Sequence, residues 1–427
     1  MKERLLQYIW QHQYFNNNYL TTTKGEPLQV IYQGSLNTNQ GADFSEGKIK
    51  LGAITFVGNI ELHLKSSDWN LHNHTSDKNY KNVILHVVWQ HDKEIQDIGG
   101  NSLATLELQS RVSNLLLNKY ENLMNTFSFI PCENHQHTIN DLTLLSWKQR
   151  LLAERLEAKS VVILSYLNQN NFHWEETFWW LIARNFGAKV NNEAFEKIAR
   201  SLPINIIAKH KNQIHQLEAL LFGQAGLLEK DPTGTGIIDN YHRMLQKEYL
   251  FYQKKYNLQK PELQLFFLRM RPANFPTIRL AQLAMLINKS SHLFSRVKEI
   301  ESLSEINELL NVTANDYWHY HYVFDETTLF KKKKLGEQMI NNIIINTLVP
   351  IMFAYGLHHK EERFKEKAIA WLEEISSETN VITKGFEALQ FSNKNSFDSQ
   401  SYIQLKNEYC NNKRCLECAI GNAVLKK

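Results

Sequence analysis

The sequence predicts an α+β protein, in which an N-terminal domain with the element order αβββαβ precedes a large, mostly α-helical region. Apolar runs with strand character occur in the first 105 residues, whereas later segments repeat apolar side chains at helical spacing. Only 8 prolines and 17 glycines interrupt the 427 residues, which favours long helices because both residue types break them. We therefore expect two domains, residues 1–105 and 106–427.

The first domain begins with a helix, a strand and a hairpin. Residues 3–15 place apolar side chains at helical spacing, and residues 28–32 form a short apolar run typical of a strand. Residues 43–51 and 54–64 alternate between polar and apolar side chains on either side of Gly52. This alternation predicts two antiparallel strands joined by a tight turn.

A polar, histidine-rich stretch separates this hairpin from the last strand of the domain. Residues 67–81 predict a helix that begins after two serines. The β-branched residues 83–89 predict a buried strand. Almost all of the remaining chain has helical periodicity. The predicted helices span residues 110–125, 146–170, 173–186, 191–200, 205–228, 240–257, 276–290, 303–310, 336–355, 361–375 and 399–410.

The charge balance permits a nucleic-acid partner without requiring one. Lys and Arg number 48 against 44 Asp and Glu, a net charge of +4, so binding to a polyanion would need a local basic groove. No stretch approaches the roughly 18 uncharged apolar residues that a membrane-spanning helix needs. The N-terminus, MKERLLQYIWQHQYF, scatters charged and amide side chains among its apolar positions, unlike a signal peptide. We expect a cytoplasmic protein with no membrane partner.

Two carboxylates on the predicted hairpin form the first candidate site. Asp43 opens one strand and Glu61 lies on the next. Because side chains alternate along a strand, Glu61, His63 and Lys65 point to one face, where the hairpin can also bring Asp43. Two carboxylates and a backbone carbonyl suit Mg²⁺ or Mn²⁺. His63 or Lys65 would orient the attacking water or stabilise a phosphate during hydrolysis.

The element order and the Asp…Glu-x-His spacing resemble the restriction-endonuclease-like, PD-(D/E)xK nuclease superfamily. The resemblance implies that Asp43 and Glu61 hold a catalytic metal ion and that His63 occupies the position of the superfamily's lysine. It also implies that His63 or Lys65 takes over the role of that lysine. Glu3, on the first helix, would supply the additional carboxylate that some members carry there.

A histidine cluster provides a second candidate metal site. His72 and His74 are followed by Asp77, with His63 and His86 nearby in the sequence. A His-x-His pair with a carboxylate suits Zn²⁺, Fe²⁺ or Mn²⁺. His72 and His74 could equally contact the scissile phosphate beside a metal ion at the carboxylates. His86 lies within an apolar strand, where a buried, hydrogen-bonded histidine is the commoner case.

The four cysteines form the third candidate site. Cys410, Cys415 and Cys418 are separated by four and two residues, and Cys132 is distant in sequence. A cytoplasmic protein of this size is not expected to contain structural disulfides. Four thiolates could instead bind Zn²⁺ or an iron–sulfur cluster in a structural role, and an unmetallated set of thiols is the remaining alternative.

A group of arginines is the fourth feature. Arg269, Arg271 and Arg279 flank a proline-bounded turn that enters a helix. Arginines beside a helix N-terminus bind phosphate well, so we expect a nucleic-acid contact here, to which His72 and His74 would add. The alternative is that these arginines pair with carboxylates between helices.

Motifs spread along the chain resemble a bacterial, Bacteroidetes-type family defined only as a domain of unknown function. The resemblance brings no established activity. The residues that carry it are Gly34-x-Leu36-Asn37-x-x-x-Gly41-Ala42-Asp43-Phe44, Gly58-Asn-Ile-Glu61-Leu-His63-x-x-Ser-Ser67-Asp68-Trp69-x-x-His72-x-His74, Val83-Ile-Leu-His86-Val-Val, Phe222-Gly-Gln-Ala-Gly226, Arg271-Pro-x-Asn274-Phe-Pro276, Asp398-Ser-Gln400, Tyr409-Cys410 and Cys415-x-x-Cys418.

The predicted function is a metal-dependent nuclease, acting on DNA or RNA, with a structural cysteine site. Two alternatives stay open. The first is a catalytically inactive protein of nuclease-like fold that binds nucleic acid or serves in an assembly, since His63 stands at the lysine position. The second is a histidine-centred metallohydrolase that acts on a small molecule.

Overall fold

The computed structural model describes residues 1–134, 139–229, 238–268, 270–290 and 292–426. The chain forms two compact units. The first contains Met1–Leu145 and Lys406–Lys427, and the second contains Ser146–Leu405. The C-terminal cysteines therefore belong to the same unit as the N-terminal β-sheet. The predicted α+β class is confirmed, with a sheet in the N-terminal part and a large helical region after it.

The first unit is built around a six-stranded sheet. The strand order is β1-β3-β4-β5-β6, with the short β2 paired to β3. β1, β3 and β4 pair antiparallel, whereas β5 and β6 extend the sheet in parallel. The elements are α1 (Glu3–Gln11), β1 (Leu28–Tyr32), β2 (Ser35–Leu36), β3 (Phe44–Leu51), β4 (Ile54–Lys65), α2 (Asp68–Leu71), β5 (Val83–Gln90), β6 (Thr105–Glu107) and α3 (Asn114–Asn125).

The predicted hairpin is present as β3 and β4, and its register is fixed where the site lies. Phe44 pairs with Ile60, both fully buried, so apolar packing holds this end of the hairpin. Gly58 lets β4 pass close to the backbone of Asn82, the residue just before β5. A Cβ at position 58 would lie 2.5 Å from the carbonyl oxygen of Asn82. The parallel pairing then places Glu61 opposite His86.

The predicted helix at residues 67–81 is much shorter than expected. Only α2 and one 3-10 turn, Lys78–Tyr80, are helical. Asn73 adopts a left-handed conformation with φ 60°, which ends α2, since asparagine tolerates this region better than most residues. Asp77 begins the 3-10 turn by accepting a hydrogen bond from the backbone N–H of Asn79. The short strands β2 and β6 were not predicted, because two or three residues give no periodic pattern.

The helical region largely follows the predicted spans. The predicted helix at 205–228 is two helices, separated near His210–Gln213. The helices are α4 (Asp141–Gln169), α5 (Trp174–Phe186), α6 (Ala188–Ser201), α7 (Ile204–Lys209), α8 (Ile214–Gln224), α9 (Asn240–Tyr256), α10 (Pro276–Lys289), α11 (Leu293–Glu299), α12 (Leu303–Leu310), α13 (Asp316–His319), α14 (Glu337–Ile343), α15 (Val349–His359), α16 (Glu362–Glu374), α17 (Val381–Ala388), α18 (Ser396–Gln404) and α19 (Ala419–Lys426). Of these, α19 and residues 141–145 of α4 belong to the first unit.

One helical stretch of the second unit is strongly apolar. Glu337–His359, in which a π-helical segment joins α14 to α15, is long and apolar enough by length and composition to cross a membrane. The prediction that no such stretch exists is wrong, since residues 338–355 carry no charged side chain. Its most apolar window is 72% buried inside the structure, so packing within the second unit accounts for its composition.

Close helix packing in the second unit yields a stability prediction. A Cβ on Gly223 of α8 would lie 2.0 Å from the ring of buried Tyr249 on α9. We expect Gly223→Ala to lower the free energy of unfolding by about 1–3 kcal/mol through overpacking, measured by chemical denaturation. Gly336→Ala is the matched control, because nothing lies within 4 Å of the added methyl group. Equal effects of the two changes would contradict this packing account.

A buried carboxyl group lies in the same helical core. Glu218 of α8 is fully buried and receives hydrogen bonds from Trp318 Nε1 at 3.0 Å, from Asn315 Nδ2 at 3.2 Å and from the hydroxyl of Tyr241. Burial raises the pKa of Glu218 to about 8 despite these donors. The folded protein therefore holds a proton here that the unfolded chain, with a carboxyl pKa of 4.5, releases.

The sign of the resulting pH dependence follows from this proton. Between pH 4.5 and 8 the unfolded state binds fewer protons at Glu218 than the folded state does. The stability that this group gives to the folded state is therefore complete below pH 4.5 and is lost as the pH rises through about 8. We expect Glu218→Gln to remove a component of up to about 1.4 kcal/mol per pH unit from the pH dependence of the unfolding free energy. Glu193→Gln, at an exposed position, is the control. Parallel pH profiles for the wild type and Glu218→Gln would contradict the assignment.

Candidate metal centre

The two predicted carboxylates meet across the hairpin. The backbone N–H of Asp43 donates to Glu61 Oε2 at 2.9 Å, and the backbone N–H of Leu62 donates to Asp43 Oδ2 at 3.1 Å. Gln7, on α1, donates to Asp43 Oδ1 at 2.8 Å. Each carboxylate is thus held by the strand that carries the other. This arrangement fixes Asp43 through both of its oxygens and leaves Glu61 Oε1 directed elsewhere.

Three imidazoles form a chain beside the carboxylates. His63 Nδ1 lies 2.8 Å from His86 Nε2, and His63 Nε2 lies 3.1 Å from His72 Nδ1. His72 comes at the end of α2, and the left-handed Asn73 then turns the backbone so that His74 also faces His63, with ring centroids 5.3 Å apart. The histidines predicted as a separate site therefore lie at the carboxylate pair.

Glu61 joins the two groups. Its Oε1 lies 3.6 Å from His63 Nε2 and 3.5 Å from His74 Nε2. His74 Nε2 is buried and has no hydrogen-bond partner among the residues that the structure describes. An unpartnered imidazole nitrogen aimed at a carboxylate oxygen is a costly arrangement without a ligand between them.

The spacing of these atoms matches the ligand shell of one metal ion. Two ligands at about 2.1 Å from an ion are about 3.0 Å apart at a right angle and about 3.4 Å apart at the tetrahedral angle. The observed separations are 3.1 Å between His63 and His72, and 3.5–3.6 Å from Glu61 to His74 and His63. Ligand atoms of His63, His72 and His74 all lie within 4.8 Å of one another. These residues could hold a divalent cation with little rearrangement.

Aromatic packing orients the ligands. The ring of Tyr80 stacks on His74 with centroids 3.7 Å apart. Trp69, fully buried, packs edge-on against His74 and donates its indole N–H to Thr75 Oγ1 at 3.0 Å. His86, also fully buried, stands behind His63 as the hydrogen-bond partner of Nδ1, the position from which outer groups commonly fix a metal-binding histidine.

The electrostatics of the cluster favour uncharged side chains when no cation is bound. Burial and then the charge of Asp43 raise the pKa of Glu61, while burial and then the charge of Glu3 raise the pKa of Asp43. Burial and the neighbouring imidazoles lower the pKa of His63 to about 3 and that of His74 to about 4. Neutral imidazole is the form that binds metal ions, and a cation would offset the cost of the buried carboxylates.

A comparison with protein families identifies the family of the chain. Residues 3–381 match the family described as "Protein of unknown function (DUF2851)". The chain belongs to this family. The matched range contains all residues of the candidate centre and ends before the three C-terminal cysteines. No curated protein and no solved structure matches the chain.

The two remaining residues of the nuclease-like motif, Lys65 and Glu3, lie apart from the ligand atoms. Lys65 is exposed at the end of β4, where its backbone N–H donates to Asp68, and no side-chain contact with the metal centre is observed for it. Glu3 is half-buried on α1, and its charge contributes to raising the pKa of Asp43. Sequence reasoning missed Gln7, although its position one turn after Glu3 places both on one face of the helix.

The predicted arginines are not all exposed, as a phosphate-binding surface would require. Arg269 lies outside the described residues. Arg271 is exposed, whereas Arg279, in the first turn of α10, donates to Gln282 at 3.0 Å and to Asn274 at 2.6 Å. Arg279 also lines a polar cavity of about 510 Å³ in the second unit. The two terminal nitrogens of Arg279 thus donate to amide side chains rather than to the carboxylates of the alternative interpretation, and its buried Nε has no hydrogen-bond partner among the described residues.

The geometry predicts metal binding that depends on the histidines. We expect the protein to bind one Mn²⁺ at this centre, and His72→Ala to weaken that affinity by at least about 10-fold, the minimum expected even for outer-sphere partners. Mn²⁺ is the probe because thiolates prefer softer metals, and free Mn²⁺ can be counted by electron paramagnetic resonance.

The control for this titration is His292→Ala, which removes an exposed histidine from the other unit. It should bind Mn²⁺ as the unaltered protein does. Binding that is equally strong in His72→Ala, or lost in His292→Ala, would contradict the assigned ligands.

Proposed function

We propose that this centre is the active site of a metal-dependent phosphodiesterase that cleaves nucleic acid. The observation that carries the proposal is the meeting of Glu61, held by Asp43, with the nitrogens of His63 and His74 at 3.5–3.6 Å, beside a His63–His72 separation of 3.1 Å. Asp43 immediately precedes β3 and Glu61 lies on the antiparallel β4, with α2 and β5 after it, in agreement with the element order on which the nuclease resemblance rests.

The ligand set indicates the kind of ion. His63, His72, His74 and Glu61 would hold it through three nitrogens and one oxygen. Imidazole suits Zn²⁺ and Fe²⁺, and mixed imidazole and carboxylate sites also accept Mn²⁺, whereas Mg²⁺ prefers oxygen ligands. Of the two ions predicted from the carboxylates alone, Mn²⁺ is therefore the better match. When bound, such an ion polarises the phosphate and lowers the pKa of a bound water.

The chain's own residues supply positioning and proton transfer. Asp43 keeps Glu61 in place through the hydrogen bond from its backbone N–H to Oε2. His86 fixes the ring of His63 from behind. We assign Glu3, half-buried on α1 one turn before Gln7, the partner of Asp43, the role of accepting the proton of the attacking water. Loss of a positioned general base typically slows a reaction 10²–10⁴-fold.

A second candidate function is hydrolysis of a small molecule. The observation that favours it is the burial of the ligands: Glu61, His63 and His74 are 5%, 1% and 7% exposed, and His72 is the exposed member of the group. A site with this access would suit a compact substrate better than a duplex. Single-stranded ends or flipped nucleotides would be the nucleic-acid substrates compatible with the same burial.

The test is a cleavage assay on labelled single- and double-stranded DNA and RNA with Mn²⁺, Zn²⁺ or Mg²⁺. We expect cleavage with Mn²⁺, reduced at least about 100-fold in Glu61→Gln because the change removes the carboxylate that would hold the ion. Glu3→Gln should lower kcat while Mn²⁺ affinity is kept, which separates a proton acceptor from a ligand.

Two control variants accompany the assay. His292→Ala should cleave at the unaltered rate. Lys65→Ala should do the same, because its exposed side chain shows no contact with the ligands; a large loss would instead assign Lys65 the lysine role of the nuclease superfamily. Mn²⁺ binding at the histidines without cleavage of any nucleic acid would contradict the nuclease proposal and favour the small-molecule hydrolase.

A further inference from the structure

The second unit contains a polar cavity between its helices. Its volume of about 510 Å³ lies within the range of about 300–1,000 Å³ that is typical of small-molecule sites. The walls come from the end of α5, the start of α6, the start of α10 and the segment that joins α14 to α15. Arginine, lysine, asparagine and glutamine side chains line it, whereas no aspartate or glutamate is among the described residues that do so. This lining suits an anion.

A π-helical turn forms one wall of the cavity. Within the apolar stretch Glu337–His359, residues Ile344–Leu348 are π-helical. Because π-helical hydrogen bonds join residues five positions apart, residues four and five positions on return to one side of the helix. Asn342, Asn346 and Thr347 accordingly all line the cavity, while the isoleucines between them are buried in the core. Such π-helical turns are frequent at functional sites.

Asn185 of α5 offers a hydrogen-bond acceptor at this wall. Its Nδ2 donates to Thr347 Oγ1 at 3.0 Å and to the carbonyl oxygen of Asn342 at 3.4 Å, and these two bonds fix the orientation of the amide. Its Oδ1 is buried and has no hydrogen-bond partner among the described residues. A buried amide oxygen is costly to leave unpaired. A ligand in the cavity would therefore present a hydroxyl or amino hydrogen to Asn185.

Arg279 of α10 offers the complementary donor. Its terminal nitrogens donate to Gln282 at 3.0 Å and to Asn274 at 2.6 Å, and its Nε is buried without a partner in the described part of the chain. Both partners are amides, so these contacts position the guanidinium without neutralising its charge. A half-buried guanidinium held in this way is well suited to a phosphate oxygen.

Two more cations line the same cavity. Arg184 pairs with Glu196 at 2.6 Å, and Arg200 pairs with the same carboxylate at 2.8 Å, so one negative charge serves two guanidiniums and the group stays net positive. Where α5 gives way to α6, Ala188 is left-handed with φ 51°, and the exposed Lys189 follows it at the cavity. Alanine rarely adopts this conformation, and strained residues of this kind cluster at functional sites.

We propose that this cavity binds a small phosphate ester that also carries hydroxyl or amino groups. The phosphate would accept hydrogen bonds from Arg279 Nε and meet the charge of Lys189, while Asn185 Oδ1 would accept a hydrogen from the rest of the ligand. A nucleotide and a sugar phosphate share this chemistry. The inference concerns the second unit alone and does not rest on the proposed function, whose site lies in the first unit.

The experiment is isothermal titration calorimetry of the full chain in EDTA, so that no divalent cation at the metal centre contributes. The probes are AMP, ribose 5-phosphate, inorganic phosphate and adenosine. We expect at least one of the two esters to bind, inorganic phosphate to bind more weakly, and adenosine to give no detectable heat. Arg279→Gln should weaken ester binding at least about 10-fold, because it removes a charge-assisted hydrogen bond. The ester that binds more tightly identifies the source of the phosphate.

Two control variants accompany the titration. Arg271→Gln is the matched control, since Arg271 is exposed and does not line the cavity, and it should bind as the unaltered protein does. Glu61→Gln should also bind unchanged, so that this proposal and the proposed function can fail separately. If Arg279→Gln does not fold, Lys189→Gln, at an exposed position, is the second variant, with an expected loss of about 2- to 5-fold.

Four results would overturn the proposal. They are the absence of binding by either ester, adenosine that binds as tightly as AMP, unchanged ester binding by folded Arg279→Gln, and an equal loss in Arg271→Gln. An oligonucleotide that binds more tightly than AMP, and loses affinity in Arg279→Gln, would replace the small-ligand site by a contact for a polymer.

Discussion

The candidate site depends on one reciprocal contact between β3 and β4. The backbone N–H of Asp43 binds Glu61, and the backbone N–H of Leu62 binds Asp43, so the register of the hairpin and the placement of both carboxylates are a single constraint. A slip by one residue would turn Glu61 to the other face of the sheet. The buried pair Phe44 and Ile60 holds the same register through packing. Folding of the hairpin and construction of the site are therefore the same event.

This constraint brings together groups that are poorly satisfied by the protein alone. Two carboxylates are buried side by side, and the Nε2 of His74 has no hydrogen-bond partner among the described residues. Buried polar groups of this kind destabilise a fold unless something pairs with them. A divalent cation would satisfy Glu61 and the imidazoles at once, and its binding free energy would then add to the stability of the first unit.

The sequence was informative wherever a pattern repeated. Alternation along 43–51 and 54–64 was sufficient to place the hairpin and to set Asp43 beside Glu61. It was uninformative where a single residue changed the chain direction: the left-handed Asn73 brings His72 and His74 to one point, and no periodicity signals such a turn. The histidine motif was accordingly predicted either as a separate metal site or as a phosphate contact beside the carboxylates, whereas His74 and His63 lie directly against Glu61. The contacts that hold the C-terminal segment beside the segment before Cys132 span more than 250 residues, and no local pattern in the sequence signals them.

The central claim is that one ion is shared by Glu61 and the histidines. Anomalous diffraction from crystals soaked in Mn²⁺ tests it most directly, because the ion and its ligands are located together. The account predicts a peak about 2.0–2.2 Å from His63 Nε2, His74 Nε2 and Glu61 Oε1, with His72 completing the shell. A map with no peak there, in which His63 still bridges His72 and His86 by hydrogen bonds alone, would contradict it.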